Sequence, residues 1–199
     1  MIILTLLIAS SASRAFAQEP FVIGFVPSSN SIDPTEDFTV NVTVTNMPSP
    51  GLFSYEYRVY YDTNVLNATA ADIPTDHFLK PTVKASNIIV VDSGTINETE
   101  GWVSFAASLM YPEEGKTGAG TLATITFKAL APGNSTLMIK GLTLPDPIFL
   151  DPNAVSYLSS AYTLQSTTIP VIPEFIVPIL MGVFAVLSTA AVVLRKKLK

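Results

Sequence analysis

The 199-residue sequence contains no cysteine and a single histidine, His77. Without cysteine there can be no disulfide framework, zinc–thiolate site, redox pair or thiol nucleophile. One histidine cannot build a His-rich metal site. A serine triad would have only His77 as its base, and that residue sits in a polar loop (PTDHFLK) with no G-x-S-x-G context nearby. His77 is therefore expected on the surface. Charged residues make up only 14%, long apolar runs occur only at the two ends, and the length suits one ordinary domain.

The ends read as membrane-targeting segments. Residues 1–9 (MIILTLLIA) are almost wholly apolar, and Ala15-Phe16-Ala17 gives the small-x-small pattern of a signal-peptidase site, so residues 1–17 read as a signal peptide. Residues 175–194 carry no charge, and as a helix they would span about 30 Å, one hydrocarbon core. Arg195-Lys196-Lys197-Leu198-Lys199 follows, a basic tail that the positive-inside rule keeps cytoplasmic. Together these imply a single-pass cell-membrane protein with an extracellular domain. Residues 166–174 (STTIPVIPE) read as a short proline-containing tether. The triplet Pro173-Glu174-Phe175 is similar to the PEF-type sorting signals of archaeal surface proteins, in which a lipid replaces the helix; it also suits a proline-started helix. Residues 18–174 hold six Lys and Arg against all 16 Asp and Glu, a net charge of −10 that disfavours nucleic acid and anionic lipid.

Between the ends, period-two alternation recurs, as expected of half-buried strands. Phe38, Val40, Val42 and Val44 share one face, with Thr39, Asn41, Thr43 and Thr45 on the other. Phe53, Tyr55, Tyr57, Val59 and Tyr61 alternate in the same way with Ser54, Glu56, Arg58 and Tyr60. Further strands are expected at 21–25, 87–92, 102–110, 121–130, 135–144 and 155–164, with a long loop at 68–86 that carries one helical turn. Eight or nine strands joined by Pro-, Gly- and Asn-rich turns imply an all-β, two-sheet sandwich of jelly-roll type over residues 18–165. Its core would contain Val103, Phe105, Ile125, Phe127 and Ile139.

Four N-glycosylation sequons begin at Asn41, Asn67, Asn97 and Asn134, all within the segment expected to be exported. Support for catalysis is slight. Glu113-Glu114, or Asp146 with Asp151, supply paired acids for glycoside hydrolysis, but adjacent acids in the loops of an acidic protein usually only solvate it. Asp33, Glu36 and Asp37, and Asp92, Glu98 and Glu100, offer oxygen ligands for calcium without EF-hand spacing.

Three segments carry a family resemblance: EDFTVNVTVTNMP at 36–48, GLFSYEYRVYYDTNVLNA at 51–68 and GAGTLATITFKALAPGNSTLMI at 118–139. Their order and spacing, above all Tyr61-Asp62 with Val65-Leu66 followed by Gly120 to Phe127, resemble the cohesins. These are non-catalytic modules that hold dockerin-bearing enzymes in cellulosomes and also occur singly on archaeal surface proteins. The resemblance implies a nine-stranded jelly roll whose third, fifth, sixth and eighth strands form the partner-binding sheet. Carried over, the outward side chains are Ser54, Glu56, Arg58 and Tyr60, beside Trp102, Ser104 and Ala106, with Met138 and Lys140 on the eighth strand. Ser54 and Glu56 stand where cohesins usually place asparagine and aspartate, a departure that bears on dockerin specificity. Asn41 would lie in the opposite sheet.

The resemblance therefore implies a non-enzymatic, membrane-anchored adaptor that captures an exported dockerin-bearing protein. Two other readings stay open: a carbohydrate-binding module that uses Tyr60 and Trp102 to stack on polysaccharide, and a structural surface glycoprotein.

Overall fold

β-Branched and aromatic residues that alternate with hydroxyl and charged ones suit a pleated surface buried on one side. The computed structural model of the chain describes residues 19–143 and 145–172, and apart from one short 3-10 turn its regular structure there is all strand. They are β1 (Phe21–Pro27), β2 (Asp37–Leu52), β3 (Ser54–Tyr60), β4 (Leu66–Asp72), β5 (Ile88–Asn97), β6 (Trp102–Leu109), β7 (Lys116–Ala129) and β8 (Gly133–Lys140). Three short strands follow: β9 (Ile148–Leu150), β10 (Tyr162–Leu164) and β11 (Thr167–Val171). The expected signal peptide, membrane span and basic tail lie outside the described residues. Among the described residues no helix is long and apolar enough to cross a membrane.

The strands form two sheets, one in the order β10-β1-β2-β7-β4 and the other β11-β8-β3-β6-β5, with β9 also paired to β3. The β1–β10 pairing is parallel, and the other ladders are antiparallel. This is an all-β sandwich of jelly-roll type. Its inner faces carry the expected alternation. Phe38, Val40, Val42 and Val44 are buried from β2, and Tyr55, Tyr57 and Val59 from β3. Val103, Phe105, Ile125, Phe127 and Ile139 are buried between the sheets as expected. Phe127 stacks on Phe38 at 5.7 Å and meets Tyr61 edge-on at 5.2 Å, so β2, β7 and the end of β3 lock together through aromatic contacts.

Four stretches differ from the sequence reading. The segment 68–86 is not all loop: its start belongs to β4, whose Leu66 and Ala68 are fully buried against β7. The rest makes successive turns rather than a helix, with the His77 amide bonded to the Pro74 carbonyl and the Lys80 amide to the His77 carbonyl. The 155–164 strand shrinks to β10, preceded by a 3-10 turn (Ser159–Ala161). β9 is only three residues long, too short for period-two alternation to mark it. Residues expected in the tether form β11, which pairs with β8 from Thr167↔Leu137 to Val171↔Gly133 and buries Ile169 and Val171. Pro170 is tolerated there because β11 is an edge strand, where one side of the backbone needs no ladder bond.

Candidate partner-binding face

Register on β3 decides which side chains meet on the outer face of the larger sheet. Tyr60 pairs with Trp102 of β6 on one side and Met138 of β8 on the other. One step along, Arg58 lies between Ser104 and Lys140. Glu56 lies between Ala106 and Ile148, and Ser54 between Ser108 and Leu150. The four strands expected to share a sheet thus do so, and the structure brings Ser54, Glu56, Arg58, Tyr60, Trp102, Met138 and Lys140 onto one surface.

The centre of that surface is aromatic and cationic. The Arg58 guanidinium carbon sits 3.9 Å from the centroid of the Trp102 ring, and Lys140 Nζ lies 5.0 Å from that of Tyr60. Each cation is held over the negative face of a ring. Glu100 fixes the indole from its edge, accepting a 2.6 Å hydrogen bond from Trp102 Nε1. Glu100 is placed by a turn in which Asn97 Oδ1 accepts from the amides of Thr99 and Glu100, at 3.1 and 3.0 Å. Met138 is 41% exposed beside Tyr60. Ser54 is held to its own sheet, its hydroxyl donating to the Ala107 carbonyl at 3.2 Å.

Ser104 and Ala106 are corrections to the expected surface, since both are buried. Asp92 of β5 folds over β6, and its carboxylate accepts the Ser104 hydroxyl together with the amides of Gly94 and Thr95. Burial alone would raise the Asp92 pKa, but the Ser104 hydrogen bond and the two amides outweigh it and hold the carboxyl below its ordinary value. Sequence alternation cannot anticipate this cover, because it depends on irregular β5–β6 register around Asp92.

The other candidates lie elsewhere. His77 is buried rather than exposed; burial lowers its pKa, and among the described residues its Nδ1 has no hydrogen-bond partner. It lines a cavity of about 540 Å³ with Asp76, Glu114 and Lys116. Glu113 does not solvate a loop: it is buried and hydrogen-bonded to Thr82, Val83, Lys84 and Asn87. Asp151 caps a turn, accepting from the amides of Asn153 and Val155. The calcium candidates do not converge: Glu36 accepts the Asp33 amide, Asp92 holds Ser104 and Glu100 holds Trp102. Among the described residues no three His, Asp or Glu side chains gather as metal ligands would.

The sequons divide between the sheets. Asn41 on β2 lies in the smaller sheet as expected, with its carbonyl oxygen accepting from Thr124 at 2.8 Å, and Asn67 on β4 shares that sheet. Asn97 and Asn134 end β5 and open β8, so they border the aromatic and cationic surface.

The family model for the cohesin domain matches residues 24–154. No curated protein gives a significant match. Several solved structures share the fold. A type II cohesin domain from the cellulosome of Acetivibrio cellulolyticus is 16% identical with a TM-score of 0.58, covering 76% of this chain and 95% of its own. The second type II cohesin module of the ScaA adaptor scaffoldin from that organism is 19% identical with a TM-score of 0.59, covering 75% and 88%. A chain of a type I cohesin–dockerin complex from Clostridium thermocellum is 16% identical with a TM-score of 0.56, covering 77% and 100%.

Proposed function

Since the chain belongs to the cohesin domain family, we propose that it is a non-catalytic adaptor whose larger sheet captures a dockerin-type protein. The observation that carries this reading is the continuous outer surface across β8, β3 and β6, where Tyr60 lies between Trp102 and Met138. Large aromatic, Met and Arg side chains at the centre of a patch are what protein interfaces favour. Related cohesins have been solved in complex with dockerins, among them a type II cohesin–X-dockerin complex from Acetivibrio cellulolyticus. Polysaccharide stacking is the weaker alternative, because a cation already covers one face of both Trp102 and Tyr60.

The module acts at the outer face of a membrane in this reading, exported by residues 1–17 and anchored by 175–194. β11 ends at Val171, so only residues 172–174 separate the sandwich from the apolar run. The sandwich would stand directly on the bilayer.

The test is capture of purified dockerin modules on the immobilised full-length chain, with and without EDTA, beside a Glu56→Arg, Tyr60→Ala double variant. Retention of a dockerin that EDTA abolishes, because dockerins fold on calcium, and that the double variant loses, supports the reading. Failure to hold any dockerin, with retention of polysaccharide instead, would replace it. Protease accessibility of the domain on intact cells tests the location.

A further inference from the structure

Arg58 and Lys140 are register partners on the two central strands of the face, and among the described residues neither has an ion-pair partner. Among the described residues the ion pair is Glu113 with Lys116 of β7, which belongs to the other sheet, and neither Arg58 nor Lys140 donates a side-chain hydrogen bond. Arg58 Nε is buried without a hydrogen-bond partner among the described residues. The nearby carboxylates are turned to other work: Glu100 holds the Trp102 indole and Asp92 holds Ser104, while Glu56, two positions along β3, stays beyond ion-pair distance. Lys80, Lys84 and Lys128 also lack an ion pair among the described residues, but Arg58 and Lys140 are the cations held over aromatic rings, side by side on one face.

The two rings make the arrangement useful. Trp102 and Tyr60 hold the cations in place by stacking, so less side-chain freedom remains to be lost when an anion arrives. With Nε buried, a partner meets the terminal N–H groups of the Arg58 guanidinium, and these beside an ammonium are a receptor for a carboxylate. From these observations we infer that the Arg58–Lys140 pair reads an Asp or Glu side chain on the protein partner. The inference rests on the adaptor reading above and specifies the chemistry that the partner brings to the centre of the face. A domain that is acidic elsewhere repels an acidic partner, so such a contact would select register rather than merely add attraction.

Trp102 is the only tryptophan in the sequence, so its fluorescence reports on this pair without a label. The full-length chain is titrated with a short helical peptide carrying Glu at three neighbouring positions, with its Gln counterpart, and with polygalacturonate. The Glu peptide is expected to shift Trp102 emission saturably and to bind about tenfold or more tighter than the Gln peptide, a preference that fades with added salt. Lys140→Gln, an exposed substitution that leaves the Arg58–Trp102 stack in place, should weaken the preference. Arg58→Gln with Lys140→Gln should remove it, with unchanged thermal unfolding as the control for folding. Equal binding of the two peptides, no response to either, or a response to polygalacturonate alone would overturn the inference. Dockerin capture is read separately: a captured dockerin with no Glu preference sinks the carboxylate contact and leaves the adaptor reading. A Glu preference without dockerin capture does the reverse.

Discussion

Glu113 and Thr82, 31 residues apart, are joined twice: one carboxylate oxygen of Glu113 accepts the Thr82 amide at 2.8 Å and its hydroxyl at 2.9 Å. The other oxygen accepts the amides of Val83 and Lys84, at 2.8 and 3.2 Å, and Lys116 closes the group with an ion pair at 3.3 Å. Three successive amides thus wrap one buried carboxylate, an anion-holding nest built from the chain's own side chain. It fastens the turns between β4 and β5 to the loop that leads into β7.

Glu113→Gln should loosen that fastening. The amide group would set an N–H₂ against donors that now meet oxygen, leaving buried donors without acceptors. Amide hydrogen exchange at Thr82, Val83 and Lys84 should speed up by roughly tenfold or more while exchange in β2 and β7 holds steady. Unchanged protection at the three amides would show that the carboxylate is not the fastener.

Acid should weaken the fold in two stages. Burial pushes the Glu113 carboxyl up, but the hydrogen bonds from Thr82, Val83 and Lys84 outweigh it and leave the pKa well below its ordinary 4.5. The unfolded chain then takes up a proton that the folded chain refuses, so this contribution is complete above pH 4.5, declines below it and is lost once the folded carboxyl protonates. His77 acts with the same sign: burial lowers its pKa from 6.5, so its contribution is complete above that pH and falls below it. Urea midpoints measured across the acid range should show both declines. His77→Gln should flatten the upper one and Glu113→Gln the lower.

Two neighbouring tyrosines should respond oppositely to the same change. Tyr55 and Tyr57 are both buried on the inner face of β3, yet the Tyr55 hydroxyl donates to the Leu122 carbonyl at 3.2 Å while the Tyr57 hydroxyl has no partner among the described residues. Tyr55→Phe should cost about 1 kcal/mol, and Tyr57→Phe should be neutral or stabilising by a similar amount. Chemical denaturation of both variants decides the point, and a larger loss for Tyr57→Phe would count against it.

Gly94 holds the sandwich closed along one side. Its φ is +129°, and a Cβ there would lie 2.5 Å from that of Ala71 on β4. Gly94→Ala should therefore cost about 1–3 kcal/mol through strain and a forced separation of β5 from β4. The expected signature is a lower thermal midpoint with faster exchange in both strands.

Ile169 tests where the domain ends. It is 2% exposed on β11, in a stretch that sequence alone reads as tether. Ile169→Ala should destabilise the whole sandwich by about 2–5 kcal/mol, as core truncations do. A cost within about 0.5 kcal/mol, the range of surface substitutions, would return the stretch to the tether.

The sequence by itself determined β2, β3 and β8, because the inner face of each is written in its own alternation. Phe38 to Val44 on β2 and Tyr55 to Val59 on β3 need no partner to declare their buried side, and the same periodicity put Ser54, Glu56, Arg58 and Tyr60 on the outer one. Only the tertiary structure decided what each side chain meets. β4, β9 and β11 are too short or too plain in composition to stand out, and become strands through the neighbours that pair with them. Ser104 leaves the outer surface because Asp92, from another strand, covers it. Glu113 and His77, polar residues in separate loops, are buried by chain from elsewhere in the sequence. Local periodicity fixes which way a side chain points, whereas burial, hydrogen bonding and counter-charge depend on residues tens of positions away, brought close only by folding.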